Sequence, residues 1–214
     1  MRKNDMIRIE NFLENKDKAL DVSEEPFEKL MFFYKSALNQ LTTQINIIKD
    51  EFKIIYNYDL IDHIDTRIKE PKSIIKKMEK KKYDKTYSNL IQKINDIAGI
   101  RIVCTLKDDI FFIKDLIKQM PGVRIIKEKD FVTNPKKSGY SSYHIIVEVP
   151  VKLTQKTIYV KCEIQIRTMA MDFWASFEHK IKYKSEYQIS KKASKELVAC
   201  AKMISKFDSK MVSL

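Results

Sequence analysis

The segment Ile158-Tyr159-Val160-Lys161-Cys162-Glu163-Ile164-Gln165-Ile166-Arg167 alternates apolar and polar residues from Val160 onward. Side chains on a strand point to opposite faces in turn, so this period marks a half-buried β-strand. Ile158, Val160, Cys162, Ile164 and Ile166 share one face, and Lys161, Glu163, Gln165 and Arg167 share the other. The polar face reads either as an ordinary solvent-facing surface or as one wall of a site. Complementary groups elsewhere in the chain favour the second reading.

Upstream, residues 141–150 form a second strand, making an antiparallel hairpin with 157–166. A polar loop (132–139) precedes it, then a strand at 123–130 and a helix at 108–119 that stops at the turn signal Pro121-Gly122. Further back the pattern predicts a strand at 98–106, a helix near 86–95, a lysine-rich helix starting at Pro71, where proline suits the first turn, and a strand at 62–69. A long helix begins at Pro26. Leu30, Phe33, Ala37, Leu41, Ile45, Ile48, Phe52 and Ile55 recur every three or four residues along one face. Downstream, helices are predicted near 169–183 and 190–212, and Ala170, Trp174, Phe177 and Ile181 fall at core spacing in the first of them. Interleaved strands and helices give an α+β fold, a mixed β-sheet of about five strands flanked by helices, with helical N- and C-terminal extensions. Residues 1–25 read as a polar lead-in, a weak helix or mobile segment. Residues 26–185 form one domain, and 186–214 a terminal helix for packing or oligomer contact.

Composition narrows the function classes. With 214 residues, 44% hydrophobic and 33% charged, the chain suits a globular domain. No run approaches the roughly 20 apolar residues of a membrane helix, and the basic start Met1-Arg2-Lys3-Asn4-Asp5 has no apolar stretch behind it, so a cytoplasmic protein is expected. Cys104, Cys162 and Cys200 are widely spaced, without a CxxC, and read as core thiols rather than a disulfide framework or a zinc site. Lys and Arg number 41 against 29 Asp and Glu, a net charge of +12. That excess attracts polyanions: nucleic acid, membrane surfaces or nucleoside polyphosphates, although a solvated lysine-rich surface has the same composition.

Position gives the charge meaning. The strand before Pro71 places Arg67 and Lys69 on one face, with Lys72 and Lys77 just beyond. Such a basic group suits a triphosphate, because guanidinium forks bind phosphate oxygens in pairs. Asp96 stands at the entrance of the 98–106 strand, and a carboxylate there beside Glu163 makes a Mg²⁺ site with substrate phosphates and water. The alternative is an aspartate that only ends a helix or turn. The loop Lys136-Lys137-Ser138-Gly139-Tyr140 offers lysine and hydroxyl donors to phosphates and a flat tyrosine face to a base, though many hairpin loops share this composition.

Four segments together resemble one family. They are Arg67-Ile68-Lys69-Glu70-Pro71-Lys72-Ser73-Ile74; Asn95-Asp96-Ile97-Ala98-Gly99-Ile100-Arg101; the 136–144 loop; and Glu163-Ile164-Gln165-Ile166-Arg167-Thr168 with Met171-Asp172-Phe173-Trp174-Ala175 and Glu178-His179. In that order, over about residues 26–185, they are similar to the synthetase domain of the RelA/SpoT homologues. The resemblance implies a synthetase of the guanosine alarmones ppGpp and pppGpp, a pyrophosphokinase that uses ATP as donor and GTP, GDP or GMP as acceptor. It implies that Arg67, Lys69, Lys72 and Lys77 hold ATP, and that Asp96 and Glu163 bind Mg²⁺, Glu163 alternatively activating the 3′-hydroxyl. Lys129, Lys136, Ser138, Tyr140, His144, Gln165 and Arg167 fall to the guanosine nucleotide, with Tyr140 stacking on guanine. Lys137 replaces a usual proline, and Ser141 a common arginine, which bears on the acceptor preference.

His63, His144 and His179 lie in no His-Asp dipeptide, the mark of the hydrolase domain in long relatives, so a synthetase-only member is expected. Small members commonly form tetramers. Those activated by their product usually carry a Phe-Val-Thr-Gly-like stretch, where this chain has His63-Ile64-Asp65-Thr66. Two other classes compete. A basic RNA-binding module fits the charge, but no RRM, KH or helix-turn-helix pattern is present. A phosphodiester-forming nucleotidyltransferase lacks its Gly-Ser…Asp-x-Asp pattern.

Overall fold

The computed structural model describes residues 6–9, 17–184 and 190–213. The basic start at 1–5 and the boundary expected at 185/186 lie outside them. In chain order the elements are β1 (Met6–Arg8), α1 (Glu25–Ile55), β2 (His63–Ile68), α2 (Pro71–Lys80), α3 (Tyr87–Lys93), β3 (Ala98–Cys104), α4 (Lys107–Gln119), β4 (Arg124–Asp130), β5 (Tyr143–Lys152), β6 (Thr157–Thr168), α5 (Met169–Lys184) and α6 (Lys191–Met211). Proline opens both α1 and α2, where its missing N–H costs nothing, and the Thr86 side chain caps α3 by accepting from Asn89 N.

Five strands run in the order β2-β3-β6-β5-β4. β3 and β6 are parallel, and the other neighbours on this path are antiparallel, so the sheet is mixed as expected. The N-terminal lead-in departs from expectation, because Met6–Arg8 forms a strand rather than a weak helix. It pairs parallel with Thr157–Tyr159. The reason lies in the register. β3 joins β6 only from Glu163 onward, leaving the first half of that edge with unpaired backbone groups, and β1 takes them. Ile9, next in the chain, is buried in the core.

One sheet face carries Ile100, Ile102, Ile145, Val147, Ile164 and Ile166, which form a single cluster with the α1 residues Leu30, Phe33, Ala37, Leu41 and Ile45 and with Ile110, Ile113 and Ile117 of α4. Cys104 and Cys162 are buried there as free thiols, and burial pushes the Cys162 thiol up to about 12. Two apolar stripes extend less far than their spacing predicts. Ile55 is 69% exposed, where α1 overshoots the sheet. On α5 the buried arc runs through Met171, Trp174 and Ala175, so Phe177 stays half exposed and stacks on Phe173, ring centroids 6.3 Å apart. Leu41 has no exposed surface. Leu41→Ala should cost about 3 kcal/mol in urea unfolding, by lost burial and a residual cavity. An unchanged midpoint would contradict this packing.

Candidate active site

The register that buries the isoleucines turns a polar row to the opposite face. Asp65 of β2 pairs with Arg101 of β3, Arg101 with Gln165 of β6, Gln165 with His144 of β5, and His144 with Lys129 of β4. One step along, Arg67 pairs with Gly99 and Gly99 with Glu163. Side chains two residues apart on a strand share a face, so Glu163, Gln165 and Arg167 stand together between the β3 and β5 contributions. At Gly99 a β-carbon would sit 3.7 Å from Arg67 Cγ, so the small residue leaves the floor between Arg67 and Glu163 low.

Asp96, just before β3, is the first focus. Its Oδ2 accepts from Lys69 Nζ at 2.8 Å and lies 2.7 Å from Lys77 Nζ. Lys69 reaches it because its backbone N–H donates to Ile97 O, tying the end of β2 to the entrance of β3. Burial alone would raise the Asp96 pKa, but the two lysine partners outweigh it and hold the carboxyl below its ordinary value of 3.8. Asp96 Oδ1 is buried and accepts no hydrogen bond among the described residues.

Glu163 is the second focus. Its Oε1 lies 3.3 Å from His144 Nδ1, and its Oε2 accepts from Gln165 Nε2 at 2.9 Å. Burial pushes this carboxyl up and His144 and Gln165 pull it down, with a net result below 4.5, while the charge of Asp96 opposes the drop. The chain continues through Tyr140. Its hydroxyl lies 2.8 Å from His144 Nε2 and accepts from Arg167 Nη2 at 2.6 Å. A proton on His144 Nδ1 satisfies every link: Arg167 donates to Tyr140, Tyr140 to His144, and His144 to Glu163. Arg167 is buried, anchored by Nη1 to Asp172 Oδ1 at 3.0 Å, and its Nη2 also donates to Gln165 Oε1.

The predicted residues therefore fall into two groups, with Lys72 and Lys129 outside them and Arg67 lining the cleft beside Glu163. Lys69, Lys77 and Asp96 meet, and so do Tyr140, His144, Glu163, Gln165 and Arg167. Lys136 joins the second group, its ammonium 4.4 Å from the Tyr140 ring centroid. Ser138 shapes the loop, its Oγ accepting from Tyr140 N. Arg67, Lys72 and Lys129 are exposed, Arg67 in the cleft that Glu163 and Gln165 also line. Ser141 faces Met171, its Oγ 3.6 Å from the thioether. His179 is exposed on α5.

Two participants escaped the sequence reading. Arg101 lines the cleft with Arg67 and Glu163, and its Nε lies 3.3 Å from Asp172 Oδ1. Its position two residues after Gly99 on an alternating strand was the available signal. Asp172, in the first turn of α5, joins Arg101 to Arg167, a pairing that no local pattern announces.

Two carboxylates close enough to influence each other, one with a buried unpartnered oxygen, fit a divalent cation that keeps further positions for phosphate and water. Among the described residues no group of three or more His, Cys, Asp or Glu gathers as an all-protein metal cage.

Residues 66–188 match the model of the region found in RelA/SpoT proteins. The chain is 41% identical to the GTP pyrophosphokinase YwaC of Bacillus subtilis over 190 residues, covering 89% of this chain and 90% of that one. Its fold matches the crystal structure of small alarmone synthetase 2 from Bacillus subtilis with a TM-score of 0.80 at 40% identity, over 88% and 97% of the two chains. It matches that of small alarmone synthetase 1 from the same organism, bound to its product pppGpp, with a TM-score of 0.81 at 29% identity, over 89% and 96%.

Both carboxyls titrate below their unfolded values, so the unfolded chain takes up protons first as the pH falls. Their contribution to stability is present above about pH 5 and lost through the acid range below it. Urea midpoints should therefore fall further between about pH 6 and pH 3 for the wild type than for Asp96→Asn; an equal fall would contradict the Asp96 environment. By sequence and by fold, the chain belongs to the RelA/SpoT family and matches its small GTP pyrophosphokinases over nearly their whole length.

Proposed function

We propose that the protein transfers the β,γ-pyrophosphate of ATP to the 3′-hydroxyl of GTP, GDP or GMP and releases AMP, making the alarmones of the stringent response. The observation that carries this reading is the nearness of two ionised carboxylates, Asp96 at the entrance of β3 and Glu163 on β6, within a surround of lysine and arginine. Basic groups attract the nucleotides, and the carboxylates provide what phosphate binding alone does not need.

In this reading Lys69, Lys77, Lys72 and Arg67 hold the donor phosphates. Lys69 and Lys77 exchange part of their pairing with Asp96 for phosphate oxygens. Asp96 and Glu163 would hold Mg²⁺, which when bound neutralises the charge gathering on the phosphates during transfer. Tyr140, carried on the loop with Lys136 and Ser138, sets the guanine, while Lys129, His144, Gln165 and Arg167 set the rest of the acceptor. The 3′-oxygen attacks the β-phosphorus, the bond from that phosphorus to the α-phosphate oxygen breaks, and AMP departs. In its alternative role Glu163 takes the hydroxyl proton instead of holding the metal, its carboxylate kept ionised and oriented by His144 and Gln165. Phosphoryl-type transfer depends mainly on alignment and electrostatic stabilisation, and a rigid sheet face supplies both.

A cytoplasmic location and a homotetramer complete the reading. The three free cysteines support the first. No helix among the described residues is long and apolar enough to cross a membrane. The exposed pair Phe173 and Phe177 and the exposed Met203 and Phe207 of α6 support self-association. The segment 26–185 is the synthetase domain in this reading, and α6 an added helix.

Glu163→Gln keeps the side chain's shape and removes its charge. It should lower kcat at least about 100-fold while leaving the thermal midpoint near wild type. Tyr140→Ala should raise the acceptor KM about tenfold. Wild-type turnover in Glu163→Gln would remove Glu163 from the chemistry, and an unchanged acceptor KM would remove Tyr140 from the guanine site.

A further inference from the structure

The loop that carries Tyr140 is packed from behind by α6. Gly139, at φ +93°, occupies a backbone region that side chains rarely adopt, between the turn bond from its own N–H to Lys136 O and the start of Tyr140. A β-carbon built on Gly139 would stand 2.4 Å from Ala201 Cβ and 3.3 Å from Trp174 Cζ2. The Ala201 methyl and the Trp174 ring thus sit where a side chain on residue 139 would begin, and only a glycine leaves them that space. Trp174 is itself fixed to α6, its indole N–H donating to Leu197 O at 3.0 Å. Tyr140, Cys200, Ala201 and Ile204 pack around the buried cluster of Trp174, Ala175 and Leu197.

A second tie lies one turn before the end of the helix. Asp208 is buried and its Oδ2 accepts from Thr168 Oγ1 at 2.8 Å; the same hydroxyl oxygen accepts from Met171 N and so starts α5. Thr168 directly follows Arg167, the residue that holds the Tyr140 hydroxyl. Between the two ties a cavity of about 310 Å³ separates loop and helix, lined by Val132, Met171, Ile204 and Asp208 among others. The loop therefore has room to recede if either tie is loosened.

We propose that α6 is a positioning element for the acceptor site: Ala201 and Trp174, pressed on Gly139, set where Tyr140 stands, and Asp208, through Thr168, sets the Arg167 guanidinium that orients it. This inference rests on the proposed reaction and adds that acceptor affinity is controlled from α6 independently of ATP. Ala201→Leu pushes on Gly139, and Asp208→Ala removes the acceptor for Thr168. Asp208→Asn retains a carbonyl oxygen in its place.

Steady-state synthesis with ATP and GTP varied separately tests it. Ala201→Leu and Asp208→Ala should each raise the GTP KM about fivefold or more, with the ATP KM within about twofold, and Asp208→Asn should stay near wild type. An unchanged GTP KM in both, or equal rises in the two KM values, would overturn the role of α6. Trp174 is the one tryptophan of the chain and gives a readout that needs no variant. Wild-type emission should change on adding GTP alone and hold steady on adding ATP alone; a silent GTP titration would also overturn the proposal. Wild-type protein that makes no product with any acceptor would instead overturn the reaction on which it rests.

Discussion

β3 and β6 run parallel with Gly99 opposite Glu163 and Arg101 opposite Gln165, and the strand period makes that register all-or-none. A slip of one residue would turn Glu163, Gln165 and Arg167 into the isoleucine core and bring Cys162, Ile164 and Ile166 to the cleft. Burying three polar groups of that kind without partners would cost several kcal/mol each, so the hydrophobic face fixes the register and thereby places the chemistry. The same pairing brings Asp96 within the electrostatic reach of Glu163, since Asp96 stands three residues before Gly99.

The charges of Asp96 and Glu163 repel, and the structure offsets the repulsion locally. Lys69 and Lys77 neutralise Asp96, while His144 and Gln165 satisfy both oxygens of Glu163. With side chains only about 15% exposed, Lys69 and Asp96 form a pair whose attraction is partly offset by the cost of desolvating both charges. Beyond its modest stabilising effect, such a pair is a readied site. An incoming polyphosphate can replace the carboxylate as partner of the lysines, freeing Asp96 as it binds.

Most of the fold was legible because each element carries its own period. β6 alternates from Val160 onward, α1 repeats every three or four residues, and Pro26, Pro71 and Pro121-Gly122 mark helix boundaries. β1 was not legible, since three residues carry no usable period and their pairing exists only because β3 leaves half of one β6 edge open. The candidate site divides the same way. Glu163, Gln165 and Arg167 are one alternating strand, and Arg67 with Lys69 another. Asp172 and Ala201 act across the fold, on Arg101 and Arg167 and on Gly139, and no spacing in the chain encodes those contacts.

The central claim is that this cleft moves a pyrophosphoryl group intact, and the fate of individual phosphorus atoms tests it most directly. Purified protein with Mg²⁺ and GTP would be given ATP labelled at either the α- or the β-phosphorus, and the nucleotides separated by chromatography. The account predicts the β-label in a 3′-pyrophosphorylated guanosine nucleotide and the α-label wholly in AMP. An α-label in the guanosine product, with pyrophosphate released, would mean nucleotidyl transfer and contradict it.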